Sequence, residues 1–284
     1  MPVMRCLFAS DLHGQSDRYE KLLAAVGQER PAVLFLGGDL LPHPFAHGAP
    51  GDFFAELLGP RLAALRDALG DEYPAVLAIL GNDDPRAQEA GLEALARDDL
   101  LEHVHMRCVP VGAADVFGYA CVPPTPFALK DWERWDVSRH LEPGCVALEE
   151  GFRTVPADPS EVRYGTIARD LAALTGEEDL ARAVMLFHAP PYRTDLDRAA
   201  LDGRTFEHVP LDVHIGSIAI RRFIEDRQPL VTLHGHVHES ARITGSWRER
   251  IGRTWCFSAA HDGPELALVR FDLEDPGAAT RELI

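Results

Sequence analysis

A repeated succession of apolar strand, polar segment and helix most constrains how this chain of 284 residues can fold. Apolar runs at 3–9, 32–36 and 75–80 are each followed by a short polar stretch and then by helical periodicity. This repeat predicts parallel βαβ units, with functional groups at the carboxyl ends of the strands. The predicted fold class is therefore α/β.

The rest of the chain continues this alternation with shorter elements. Further strands are predicted at 183–187, 229–233, 254–258 and 266–271. Helices are predicted at 17–29, 52–69, 85–97, 166–175 and 217–226. Because no internal repeat or interdomain linker is visible, we predict a single domain over 1–284. Segment 123–165 is the least regular and is interpreted as an insertion or a lid. Together with a loop at 40–51, it is expected to set substrate choice.

Side chains typical of metal ligands stand at the predicted strand ends. In chain order they are Asp11, His13, Asp39, Asn82, Asp83, Asp84, His188, His236 and His238. Asp, His and Asn form a mixed oxygen and nitrogen donor set suited to manganese, iron, zinc or nickel. One carboxylate at such a position is equally explained as a helix cap. Ligand types at five strand ends instead favour a metal centre.

The order of these residues resembles that of the calcineurin-like metallophosphoesterase family. The blocks that carry the resemblance are Asp11-x-His13, Gly38-Asp39, Gly81-Asn82, His188 and Gly235-His236-x-His238. Segments 211–217 and 235–240 are further similar to the Icc-related predicted phosphoesterase group, whose substrates are poorly defined. The resemblance implies a four-layer α/β/β/α sandwich of two mixed sheets flanked by helices.

The resemblance also implies a dinuclear centre with two divalent metal ions. In the family's pattern one ion would be held by Asp11, His13 and His238, the other by Asn82, His188 and His236, and Asp39 would bridge both. The implied activity is hydrolysis of a phosphoester by attack of a metal-bound hydroxide.

The residue after Gly81-Asn82 departs from the family pattern. Most members carry a histidine after Gly-Asn that acts as general acid or substrate-binding cation, whereas this chain has Asp83. An ionised carboxylate is a poor proton donor at neutral pH, and nearby metal ions would lower its pKa. Phosphodiesters with good leaving groups are therefore the predicted substrates. His214 is a candidate for the missing acid, or alternatively a cap or buttress of the helix at Ser217.

The candidate catalytic residues are Asn82, Asp83 and His214, and the candidate substrate-binding residues are Asn82, Tyr192 and His214. Two other functions stay open on the sequence. One is a phosphomonoesterase acting on nucleotides or phosphoproteins. The other is a non-catalytic metal-binding scaffold of the same fold, which the altered Asp83 block favours and the full ligand set disfavours.

Charge and cysteine content limit the expected partners and location. The net charge of −17 disfavours nucleic acid and anionic membranes as general partners, because phosphate binding depends on Lys and Arg. A small-molecule phosphoester is the expected partner. No apolar run approaches the ~20 residues of a membrane helix. The five cysteines are scattered and fit a reducing compartment, so a cytoplasmic location is expected.

Overall fold

A computed structural model of the chain describes residues 4–42 and 52–284. In chain order the strands are β1 (Arg5–Ala9), β2 (Val33–Gly37), β3 (Ala75–Ile79), β4 (Glu102–His103), β5 (Cys108–Val111), β6 (Ala114–Tyr119), β7 (Val184–Phe187), β8 (Thr205–Phe206), β9 (Val209–Pro210), β10 (Val231–His234), β11 (Arg248–Ile251), β12 (Thr254–Ser258), β13 (Ala267–Asp272) and β14 (Thr280–Leu283). The α-helices are α1 (Ser16–Glu29), α2 (Gly59–Leu69), α3 (Glu89–Arg97), α4 (Pro159–Tyr164), α5 (Ile167–Thr175), α6 (Ile218–Arg227) and α7 (Ser240–Thr244).

Most of these strands form two mixed sheets of six strands each. The first sheet has the order β14-β13-β1-β2-β3-β4, and the second has the order β11-β12-β10-β7-β6-β5. β1 to β4 run parallel to one another, as do β6, β7, β10 and β12. β13 and β14 in the first sheet, and β5 and β11 in the second, pair antiparallel. Within each sheet, the carboxyl ends of the parallel strands therefore lie at one edge.

The two sheets face each other across an apolar core. The ring of Phe271 on β13 lies 6.0 Å from that of Phe35 on β2 and 5.6 Å from that of Phe257 on β12, in the other sheet. Helices flank the pair: α3 packs beside β4, and α5 contacts both β6 and α6. The predicted α/β/β/α sandwich is confirmed.

The predicted helix at 85–97 begins later than expected. Pro85 is extended, and a 3₁₀ turn (Arg86–Gln88) precedes α3. The Arg86 backbone N–H donates to Asp131 at 2.8 Å, so a carboxylate from a distant segment sets the start of this helical stretch. The predicted start at Pro85 was therefore wrong. Similarly, a π-helical turn (Phe54–Leu58) precedes α2.

Segment 123–165 is irregular apart from α4. It is nevertheless packed, since Trp132 and Trp135 are buried and Lys130 pairs with Glu133 at 2.6 Å, both fully buried. The loop expected at 40–51 lies outside the described residues from 43 onward. Within 4–42 and 52–284, no helix combines the length and apolarity that crossing a bilayer requires.

The packing between the sheets predicts a large cost for truncating Phe257, which is fully buried. We expect Phe257→Ala to lower the free energy of unfolding by about 3–5 kcal/mol, because it removes a buried ring and leaves a cavity. Urea denaturation followed by circular dichroism measures this change. Phe206→Ala, at a ring that is 47% exposed, is the matched control, with an expected loss under about 1 kcal/mol. Equal losses in the two variants would contradict the assignment of Phe257 to the core.

Candidate metal centre

The seven residues predicted as ligands follow strands of both sheets. Asp11 and His13 follow β1, Asp39 follows β2, Asn82 follows β3, His188 follows β7, and His236 and His238 follow β10. Backbone hydrogen bonds join neighbouring strand ends within each sheet: Asp11 N donates to Gly38 O and Gly235 N donates to His188 O, both at 2.9 Å. Asp11 Oδ1 also accepts from the N–H of His236 at 2.9 Å, which joins one sheet to the other.

Several of these residues have a left-handed backbone conformation that L-residues rarely adopt. The φ angles are +56° at Asp11, +47° at His13, +51° at Asp39 and +74° at His236. Each such residue costs on the order of 1–3 kcal/mol and persists only where the surrounding structure holds it. Concentration of this strain at the predicted ligands is typical of a functional site.

One group of predicted ligands is compact. Its potential ligand atoms lie within 4.8 Å of one another, and its members are Asp11, His13, Asp39 and His238. His238 Nε2 lies 3.2 Å from both His13 Nε2 and Asp11 Oδ1. Asp11 Oδ2 is buried without a hydrogen-bond partner among the described residues. A buried acceptor left unpaired is costly, and a cation bound by this group would satisfy it.

The remaining predicted ligands surround His188. Its Nε2 atom lies 3.1 Å from Asn82 Oδ1 and 3.3 Å from Asp39 Oδ2. Its Nδ1 atom donates to the Gly37 carbonyl at 2.8 Å, which directs Nε2 into the site. The rings of His188 and His236 are 5.3 Å apart. Asp39 thus belongs to both groups of residues. The structure brings all seven residues together, and their role as ligands stays a prediction.

Charges within the site oppose the effect of burial on the pKa values of its two carboxylates. Burial acts to raise the pKa of Asp39, but the neighbouring His188 lowers it to about 2. Burial likewise acts to raise the pKa of Asp11, but the hydrogen bond and charge of His238 hold it well below its usual range. Burial lowers the pKa of His236 to about 3, and the nearby His188 adds to this effect. Both carboxylates are therefore ionised at neutral pH, the form that binds a metal.

Two glycines make room for the carboxylates. A Cβ atom on Gly81 would lie 2.2 Å from Asp39 Oδ1, and one on Gly235 would lie 2.6 Å from Asp11 Oδ2 and 2.1 Å from Ser10 Oγ. Three features of the site fit divalent metal ions: the unpaired oxygen of Asp11, the mixed oxygen and nitrogen donors, and this close packing.

Asp83 and Asp84 face different surroundings. Asp84 is fully buried, and its carboxylate accepts backbone N–H groups of Gly81, Leu40 and Leu41 at 2.8–3.1 Å. It therefore ties the segment after β2 to the end of β3. The Asp83 carboxylate accepts from Asn82 Nδ2 at 2.9 Å. Burial, and then the charge of Asp39, raise the pKa of Asp83.

Tyr192 and His214 lie together in the loop between β7 and α6, with ring centroids 6.2 Å apart. The Tyr192 hydroxyl donates to Asp212 at 2.6 Å, and His214 Nδ1 lies 2.8 Å from Asp197. No hydrogen bond among the described residues links either ring directly to the seven predicted ligands. Asp197 was not found from the sequence, because a single acidic residue in a loop carries no periodicity or motif. Asp212 lies in segment 211–217, which carries part of the resemblance, but it was given no role.

The comparisons with known proteins agree with the family resemblance and the fold. The family model for calcineurin-like phosphoesterases matches residues 4–240. The fold is similar to that of TT1561 of Thermus thermophilus, with 17% identity, 99% of both chains covered and a TM-score of 0.57. It is also similar to that of a dimetal phosphatase from Danio rerio, with 13% identity, 95% of this chain and 92% of that chain covered, and a TM-score of 0.53. The comparison with curated proteins found no match.

The close approach at Gly235 predicts that a single methyl group disturbs metal binding. We expect Gly235→Ala to weaken Mn²⁺ binding by about tenfold or more, because the methyl group displaces Asp11. Calorimetric titration of metal-stripped protein measures the affinity. Gly27→Ala is the matched control, since its Cβ would meet only Leu65, at 3.7 Å, and its affinity should equal that of the wild type. Wild-type affinity in Gly235→Ala would contradict the proposed position of the metal.

Proposed function

The chain belongs to the calcineurin-like phosphoesterase family, and on this premise we propose that it is a dinuclear-metal-dependent phosphodiesterase. The family is metal-dependent and acts on phosphoric esters. The observation that carries the proposal is the convergence of two groups of ligand side chains that share Asp39. A shared carboxylate is what holds two cations close together, and two cations can clamp both the attacking and the leaving oxygen of a phosphoester.

The proposed ligand sets follow the two groups. Asp11, His13 and His238 would hold one ion, Asn82, His188 and His236 the other, and Asp39 both. When bound, the ions would activate water and neutralise phosphoryl oxygens. The mixed donor set suits manganese, iron, zinc or nickel. The Gly37 carbonyl fixes the orientation of His188, as such outer contacts do in metal sites.

Asp83 is the residue that leads us to propose phosphodiesters as substrates. It stands next to Asn82, which we propose as both a ligand and a contact for the phosphate. Bound metal ions would lower the pKa of Asp83, in opposition to burial and Asp39, and its ionised form donates no proton. Aryl diesters, whose leaving groups need little protonation, and nucleotide diesters, whose alkoxide leaving group takes a proton from another residue, are the proposed substrates. Tyr192 and His214 are proposed as substrate contacts, and His214 also as the proton donor.

We further propose one domain in which segment 123–165 covers the metal face and helps to set substrate choice. One continuous buried cluster includes residues of both sheets, which supports a single domain. Asp131 of this segment binds the N–H of Arg86, four residues after Asn82. Asp136 accepts from Ser217 Oγ at 2.5 Å, just before α6. Both contacts lie on the side of the sheets that carries the ligands.

Turnover of two chromogenic esters tests the function. Metal-stripped protein supplied with Mn²⁺, Ni²⁺, Zn²⁺ or Mg²⁺ is expected to cleave bis(p-nitrophenyl) phosphate faster than p-nitrophenyl phosphate, as measured by released nitrophenolate. Asp39→Asn should lower turnover about 100-fold or more, because it removes the shared charge. Asp71→Asn, at an exposed carboxylate, is the matched control and should keep wild-type turnover. A preference for the monoester would favour a phosphomonoesterase, and metal binding without turnover would favour a scaffold.

A substitution at Asp83 tests the origin of the diester preference. We expect Asp83→His to raise monoester turnover relative to diester turnover by about tenfold or more, because an imidazolium attracts the more highly charged monoester that the carboxylate repels. The ratio of kcat/KM values for the two substrates measures this shift. Asp83→Asn, which removes the negative charge without adding a positive one, serves as control. An unchanged ratio in Asp83→His would contradict the role given to Asp83.

A further inference from the structure

We infer that Asp197 is a positioning residue that holds the His214 imidazole for proton transfer to the leaving group of the substrate. This inference rests on the proposed phosphodiesterase function and deepens it. It assigns a role to a fully buried carboxylate outside the metal centre. It also explains how a chain with Asp83 after Gly-Asn protonates a leaving oxygen.

The loop that carries His214 is fastened to the strand ends that carry the predicted ligands. It begins at Ala189, directly after His188, and the Ala189 carbonyl accepts from His234 Nδ1 at 2.9 Å. Near the middle of this loop, the backbone N–H of Ala200 donates to the Glu239 side chain at 3.0 Å, and Glu239 follows His238 in the chain. The loop therefore spans from one histidine-bearing strand end to the other.

The Asp197 carboxylate is held rigidly before it meets the imidazole. Three backbone N–H groups donate to it at 2.9–3.1 Å, from Arg193, Thr194 and Gly216. Its Oδ1 atom lies 2.8 Å from His214 Nδ1. An ionised carboxylate only accepts hydrogen bonds, so His214 Nδ1 is the protonated nitrogen that donates to it. The other ring nitrogen, Nε2, is then left to act on a substrate.

Other contacts restrain His214 without enclosing it. Its backbone N–H donates to Asp212 at 2.9 Å, and the ring of Tyr192 packs edge-on against its own ring. The side chain is 29% exposed, so a ligand can reach it. Helix capping does not explain its position, because Ser217 Oγ accepts the N–H of Ile220 at 3.0 Å and so caps α6.

The proposed step balances in protons and electrons. Water supplies the oxygen that bonds to phosphorus and loses a proton to solvent. The bond between phosphorus and the leaving oxygen breaks, and that oxygen keeps the electron pair. His214 Nε2 gives it a proton and is reprotonated from solvent afterwards. The Nδ1 proton stays on the imidazole throughout, in its hydrogen bond to Asp197. The negative charge of Asp197 stabilises the ring while both ring nitrogens are protonated.

Leaving-group dependence tests the inference on the Mn²⁺-loaded full chain. The probes are methyl p-nitrophenyl phosphate and methyl phenyl phosphate, since only phenolate needs protonation to leave well. We expect Asp197→Asn and His214→Gln each to lower kcat for the phenyl ester about 100-fold, and for the nitrophenyl ester less than about tenfold. Asp195→Asn, an exposed carboxylate in the same loop, is the matched control and should leave both rates unchanged.

The double variant separates positioning from a purely structural role. In the His214→Gln background, Asp197→Asn should change kcat by less than about twofold, because Asp197 acts through His214. Equal losses for the two esters, or losses that multiply in the double variant, would overturn the inference. Absence of wild-type turnover on both probes and on the monoester would overturn the hydrolase proposal as well, so the two failures are distinguishable.

A measurement on the wild type covers the case in which Asp197→Asn does not fold. In ¹⁵N-histidine-labelled protein, we expect a strongly downfield Nδ1 proton that couples to an imidazole nitrogen and disappears in His214→Gln. Such a signal reports the hydrogen bond to Asp197 directly. Its absence at low temperature from folded wild-type protein would overturn the inference.

Discussion

Attraction between two buried carboxylates and the histidines that face them holds the ends of the two sheets together. Asp11 and Asp39 come from the first sheet, and they lie 3.2 Å from His238 and 3.3 Å from His188 of the second. Away from this edge the sheets meet through apolar rings such as those of Phe257 and Phe271. An unpaired buried carboxylate would destabilise the fold, so assembly of the site and packing of the sheets depend on each other.

Backbone geometry explains why this edge can be so crowded. Left-handed residues such as Asp11 and Asp39 turn the chain sharply two residues after a strand ends. Glycine at 81 and 235 then lets neighbouring backbones approach the carboxylates more closely than any Cβ would permit. The strain and the close approach are local costs, and the contacts among the converging side chains offset them.

The sequence was sufficient for features that depend on neighbours along the chain and insufficient for those set by distant contacts. Apolar runs followed by side chains typical of metal ligands predicted the parallel strands. They also predicted which residues lie close together after those strands. The neighbouring sequence did not distinguish Asp84 from a metal ligand. In the structure its carboxylate accepts backbone N–H groups instead. The start of α3 depends on Asp131, far along the chain from Pro85. The pairing of Asp197 with His214 likewise depends on how a long loop folds back on itself.

Charge gives a second, independent reason to favour diesters. The protein carries a net charge of −17, and Asp83 stands beside the proposed metal ligands. A phosphodiester carries one negative charge at neutral pH, whereas a monoester approaches two, since its second pKa is about 6. Repulsion from the surrounding acidic groups therefore acts more strongly on a monoester. The histidine found at this position in most members of the family would offset that repulsion. An aspartate adds to it, so this departure from the family pattern works against monoesters through charge, whereas the proton for the leaving group is assigned to His214.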